Sequence, residues 1–133
     1  MKLLLDSNVI VAAFASRGLC QSLFELCVKR HEIVLCEQIL SEVERVLTRK
    51  IKLPAGYSAE IAAYLRETCD VLPDVIPSKS ICADPTDDSI IEFAAGQKAE
   101  YLITGDSAML EAGEYGGVKI VSPRGFWEIE AER

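Results

Sequence analysis

Short apolar runs alternate with amphipathic segments along this 133-residue chain, and the alternation predicts an α/β fold. The expected architecture is a three-layer sandwich, a parallel β-sheet flanked by helices. Two observations carry it. The runs at 3–5, 33–35, 101–104 and 118–121 are too apolar to leave one face in water, as in strands covered on both sides. Between them lie stripes at helical spacing, such as Ile39, Leu40, Val43, Val46 and Leu47. The length suits one domain, 1–133, large enough to bury roughly two-thirds of its unfolded surface.

In order along the chain, the first strand stops at Asp6, and residues 19–30 carry Leu19, Leu23, Leu26 and Cys27 at helical spacing. A second strand and the Ile39 stripe follow. Leu53-Pro54-Ala55-Gly56 breaks the chain, and Ser58 is a candidate cap for a helix reaching about Thr68. A Pro-rich passage with Pro73, Pro77 and Pro85 reads as loop, with a short strand near Val71. Then come a helical segment at 87–97, a strand at 101–104, a short helix at 107–112 and a strand at 118–121. Pro123 suits the first turn of a last helix, whose Phe126 and Trp127 read as core or interface anchors rather than base-stacking platforms.

Composition removes several function classes. With 14 basic and 21 acidic residues the net charge is −7, so a general phosphate-binding surface is not expected, and any nucleic acid must be met locally. No stretch approaches the ~18 uninterrupted apolar residues of a membrane span, which predicts a cytoplasmic protein without a membrane partner. The five cysteines lack a C-x-x-C pair and read as reduced packing residues; the single histidine, His31, reads as part of a solvated turn. One histidine rules out a multi-histidine zinc site, and neither G-x-S-x-G nor a P-loop occurs.

Acids mark the places where chemistry is expected. In open parallel sheets ligands bind beyond the carboxyl ends of the strands. Asp6 ends the first strand, Asp106 follows the 101–104 strand, and Asp84, Asp87 and Asp88 crowd a helix start. Brought together, these carboxylates repel one another unless a divalent cation joins them; hard oxygen ligands suit Mg2+ or Mn2+, and such ions activate water against a phosphodiester. Each acid alone also reads as a helix cap or dipole partner. Helical periodicity turns Asp87 inward more readily than Asp88, which faces Glu92, but does not choose between Glu42 and Glu44. Clustered carboxylates should raise at least one pKa when metal is absent, so that Asp6→Asn and Asp106→Asn melt at or above wild type in EDTA.

The chain resembles the PIN domains, particularly the toxin branch related to VapC toxins. The resemblance runs through Leu4-Leu5-Asp6-Ser7-Asn8-Val9, Ile39-Leu40-Ser41-Glu42-Val43, Asp84-Pro85-Thr86-Asp87-Asp88, Leu102-Ile103-Thr104-Gly105-Asp106 and Val118-Lys119-Ile120-Val121-Ser122-Pro123. It implies a metal-dependent endoribonuclease that cleaves single-stranded RNA, with an acidic quartet at Asp6, Glu42, Asp87 and Asp106 holding Mg2+ or Mn2+. Asn8 and Thr104 would be polar supports, with Asp84 and Asp88 beside the quartet and Asp88 the alternative to Asp87. Ser7 stands where the family commonly has threonine. A cognate antitoxin and a homodimer are the protein partners the resemblance implies.

Arg45, Arg49, Lys50 and Lys52, with Arg17 near the first loop, are candidates to follow an RNA backbone, although cations at a helix end also suit its dipole. Competing enzyme classes fit less well. A haloacid-dehalogenase-type phosphatase wants an aspartate where Asn8 stands, and a receiver domain wants an acid and a lysine after later strands. The non-enzyme alternative is a PIN-like binding or interaction module that does not cleave.

Overall fold

The computed structural model describes residues 1–82 and 84–133. Its strands are β1 (Lys2–Leu5), β2 (Glu32–Cys36), β3 (Asp70–Leu72), β4 (Tyr101–Ile103), β5 (Glu114–Tyr115) and β6 (Val118–Val121). The helices are α1 (Ser7–Ala15), α2 (Leu19–Arg30), α3 (Glu37–Arg49), α4 (Ala55–Thr68), α5 (Pro85–Gly96), α6 (Ser107–Ala112) and α7 (Pro123–Ala131). The sheet order is β3-β2-β1-β4-β6-β5. Every pairing is parallel except the short β5–β6 hairpin, which amends the all-parallel expectation at one edge.

Leu3, Leu4 and Leu5 are all fully buried, as are Leu102 and Ile103. Successive strand residues point to opposite faces, so helices must cover both faces, and the sandwich has three layers. From β1 the chain builds outward to β2 and β3, then returns to place β4 on the other side of β1. The carboxyl ends of β1 and β4 thus form the point where the strand order reverses, and connections diverge there to leave a crevice.

Several local expectations change. Helix α1 follows Asp6 directly; its sequence Val9-Ile10-Val11-Ala12-Ala13-Phe14 is apolar on nearly every side and has no stripe to read. Helix α4 begins at Ala55, so Ser58 is not a cap but a buried helical residue that accepts a 3.0 Å hydrogen bond from the Thr48 hydroxyl. Helix α5 starts at Pro85, capped by Asp84 through the Thr86 amide. His31 is no solvated residue: its side chain is 5% exposed, paired with Glu130 of α7, with the N-terminal amine 3.2 Å from its other ring nitrogen. That pair ties the end of α2 to α7. Phe126 is fully buried and meets Tyr101 and His31 edge-on. Burial pushes the Cys27 thiol up to about 12 and Cys36 and Cys69 to about 11, as befits neutral packing residues.

Among the described residues no single helix is long and apolar enough to cross a membrane. The stability of the sandwich rests on the central strand. Truncating Leu4, which sits between β2 and β4 with no exposure, should cost about 2–5 kcal/mol in urea unfolding as Leu4→Ala. Ile76→Ala, at a side chain 93% exposed, should change stability by no more than about 0.5 kcal/mol.

Candidate functional site

A cleft of about 670 Å³ opens at the β1/β4 reversal point, and three helices wall it. Helix α1 contributes Ser7, Asn8, Val11, Ala12 and Ala15; α3 contributes Gln38, Ile39, Glu42, Val46 and, at its end, Lys50. Each set recurs every three or four residues, the spacing of one helix face. From α5 come Thr86, Asp87 and Ile90, with Asp84 just before it, and Asp106 comes from the turn after β4.

Asp6 is the anchor of the acidic end. Only 4% exposed, it accepts hydrogen bonds from the Ser7 amide (2.8 Å), the Asn8 side-chain amide (3.0 Å) and the Thr104 hydroxyl (2.8 Å). Burial raises its pKa; these three donors pull the other way, and the charge of Asp106 adds to the rise. Asn8 also accepts from the Gly105 amide at 2.8 Å, and Thr104 accepts from the Asp106 amide at 3.1 Å. Gly105 suits this close approach, because a Cβ there would stand 3.3 Å from the Asn8 carbonyl oxygen. Asp106 caps α6 by accepting from Ala108.

Asp87 is pushed up to about 7, first by burial and then by the adjacent Asp106 carboxyl, with Asp84 and Asp6 behind it. Its neighbour Asp88 is turned away. That carboxylate, in a residue 4% exposed, accepts the backbone amides of Ile81 (3.0 Å) and Cys82 (2.6 Å), and it does not line the cleft. Glu92, one turn further, holds Ser78 through its amide and hydroxyl. These two acids therefore pin the loop that leads into α5.

Glu42 lies in the cleft wall, but its carboxylate is 2.5 Å from the Arg45 guanidinium, with both side chains more than a third exposed. Among the described residues no three His, Cys, Asp or Glu side chains already stand as a formed ligand set. The donors nevertheless suit a hard divalent cation: they are carboxylate oxygens, crowded enough that one of them keeps its proton to about 7. Of the candidate cations, Lys50 lines the cleft and Arg45 is held by Glu42, whereas Arg17, Arg49 and Lys52 are exposed and outside the lining.

The PIN domain family profile matches residues 2–108. The chain belongs to the PIN domain family. Its fold is similar to that of VapBC2 from Rickettsia felis, solved bound to a DNA fragment from their promoter, with a TM-score of 0.66 at 14% identity over 92% of this chain and 98% of that one. It is also similar to PAE2754 from Pyrobaculum aerophilum, with a TM-score of 0.69 at 15% identity over 100% of this chain and 91% of that one. At these identities the likeness is one of fold. No curated protein matches the chain by sequence.

Two contributors to this PIN domain's cleft escape a search for acids. Gln38 donates its side-chain amide to the Thr86 carbonyl (3.2 Å), while its backbone amide donates to Asp74 (2.7 Å), so one residue fastens α3 to α5 and to the loop after β3. Its spacing from Glu42, one turn earlier on the same stripe, is the signal that finds it. The apolar face of α1 is the other. The geometry sets a cost against the relief expected of Asp6→Asn and Asp106→Asn: Asp6 is bound by three donors that an amide cannot all satisfy, so for Asp6→Asn we predict a loss of stability.

Asp87 is the carboxyl whose neutralisation should relieve strain among charges. Its folded pKa of about 7 exceeds the 3.8 of a free aspartate, so between these pH values the native state holds a proton that the unfolded chain has released. Stability therefore falls as pH rises from about 4 to about 7, and this group adds no further change above that. In EDTA, Asp87→Asn should flatten that segment and melt above wild type at pH 8, by roughly 1–4 °C given the solvent screening at this partly exposed site. Melting curves across pH 4–8 check both the slope and its loss.

Proposed function

We propose that this PIN domain is a divalent-metal-dependent endoribonuclease acting on single-stranded RNA, and that it is the toxin of a toxin–antitoxin module. The observation that carries the reading is the meeting of Asp6, Asp87 and Asp106, from three separate elements, at one end of a cleft large enough for a nucleotide. PIN domains are generally nucleases, and the likeness to VapBC2 supports the module and a protein antitoxin.

In this reading Asp6, Asp87 and Asp106 hold Mg2+ or Mn2+, and Glu42 helps to hold it or orients the attacking water. A bound divalent ion supplies charge neutralisation on the phosphodiester and activation of water. The chain's own part is orientation. Thr104 and Asn8 fix the Asp6 carboxylate, Asp84 sets the start of α5 and so the direction of Asp87, and Asp88 braces the approaching loop. Arg45 meets a phosphate near the cut and Lys50 one further along the cleft; Arg17, Arg49 and Lys52 serve the strand further out. A second copy of the chain is the remaining partner of this reading, to be checked by light scattering.

Mixed-sequence single-stranded RNA should be cut in Mg2+ or Mn2+ and not in EDTA, and Asp87→Asn or Asp106→Asn should lower the rate by about 10²-fold or more. Asp88→Asn should lose melting temperature first and activity only in proportion to unfolding. Equal cleavage by wild type and the two cleft variants in EDTA would overturn the mechanism. RNA binding without cleavage under every metal condition would favour the non-cleaving module, for which the Glu42–Arg45 pair is the supporting observation. Expression should arrest growth, Asp106→Asn should abolish the arrest, and a small protein encoded beside it should relieve it.

A further inference from the structure

The acidic group occupies only one end of the cleft. From Asp6, at the start of α1, to Ala15 is nine residues, about 13 Å of helix at ~1.5 Å per residue. Along that length the α1 wall is Val11, Ala12 and Ala15, and the facing wall, beyond Glu42, is Val46 and Ile51. At the far end stands Lys50, exposed and without an ion pair among the described residues. A cleft of about 670 Å³ exceeds what a cation centre needs and falls in the ordinary range for sites that enclose an organic group.

We infer that the apolar part of the cleft is a subsite for one unpaired nucleobase of the RNA strand, next to the phosphodiester held at the acidic end. The inference rests on the nuclease reading above. The order of surfaces matches the order of chemistry along a strand: carboxylates with their cation for one phosphate, an apolar slot for the base, and the Lys50 ammonium for a neighbouring phosphate. Ala12 and Ala15 keep the α1 wall low enough to admit a planar ring, and aliphatic side chains contact its faces. Gln38 offers an edge contact, because its amide nitrogen is used on Thr86 while its Oε1 has no hydrogen-bond partner among the described residues. A base inside a duplex has its edge paired and its faces stacked, so the slot selects single strands.

The test is direct binding to the full chain carrying Asp106→Asn, which is expected to cut its probe at least about 10²-fold more slowly. Fluorescence anisotropy in Mg2+ compares a mixed-sequence ten-nucleotide RNA with a ten-unit ribose-phosphate strand that lacks bases. The parent should bind the RNA about tenfold more tightly, the scale of one base contact. Filling the slot with Ala15→Phe, at an exposed helix end, or with Ala12→Leu should erase that difference and leave binding of the baseless strand within about twofold, with melting temperature reporting on folding. A base preference that survives both fillings, or its absence in the parent, overturns the subsite even if wild type still cleaves RNA. Loss of both binding and cleavage in wild type overturns the nuclease reading as well.

Discussion

The geometry of the acidic end depends on one buried carboxylate being satisfied. Asp6 sits where the order of the sheet reverses, and a carboxylate 4% exposed is costly to keep ionised unless donors surround it. Its three donors come from the first turn of α1 and from the residue that follows β4, so the same bonds that settle the charge join two diverging chain segments. The Asp6 backbone amide adds a 2.9 Å bond to the Ile103 carbonyl. Thr104, with no exposure, then receives the Asp106 amide. The second acid is thereby placed in register with the first through a single hydroxyl.

The third acid is placed by different means. Asp87 and Asp88 are adjacent on α5, and the turn of about 100° between neighbouring helical residues gives them opposite tasks. Asp87 faces the cleft and its like charges; Asp88 faces two backbone amides that would otherwise be unpaired. Ser89 donates to the Val75 carbonyl and Glu92 holds Ser78, so α5 clamps the incoming loop along one side while presenting Asp87 on the other. Asp74 in that loop reaches α3 through the Gln38 amide. The spacing between the α3 and α5 walls is therefore fixed by Gln38, which also lines the cleft, together with loop side chains that lie outside it.

Strands and most helices were legible because burial on both faces leaves an unbroken apolar run, and a one-sided helix leaves a stripe. Helix α1 was not, since it is apolar nearly all round; β5 was not, since two residues between turn glycines carry no period. Ser58 was misread because α4 starts three residues before it, at Ala55, and His31 because its partner Glu130 is distant in sequence, of which polarity alone says nothing. Within the site, the strand-end acids could be found from topology, because the carboxyl ends of parallel strands converge. Helical phase turned Asp87 inward more readily than Asp88, and Asp87 lines the cleft whereas Asp88 does not. Glu42 could not be separated from Glu44 by phase, because both flank the buried stripe; the position of the α1 and α5 walls decides which flank faces the cleft.

On the nuclease reading, Glu42 offers one way for an acidic chain to serve a polyanion. Its contact with Arg45 joins two side chains that are both more than a third exposed, and such pairs contribute only about 0–1 kcal/mol. The pair is therefore a weak latch. On the nuclease reading, a carboxylate drawn toward a divalent cation leaves Arg45 uncompensated beside the cleft, where a phosphate is its natural partner. One exchange would then supply both a ligand to the acidic end and a cation to the strand. The net charge of −7 is no obstacle to such a site, because screening over a Debye length of about 8 Å makes the field at the phosphate a matter of the nearest side chains.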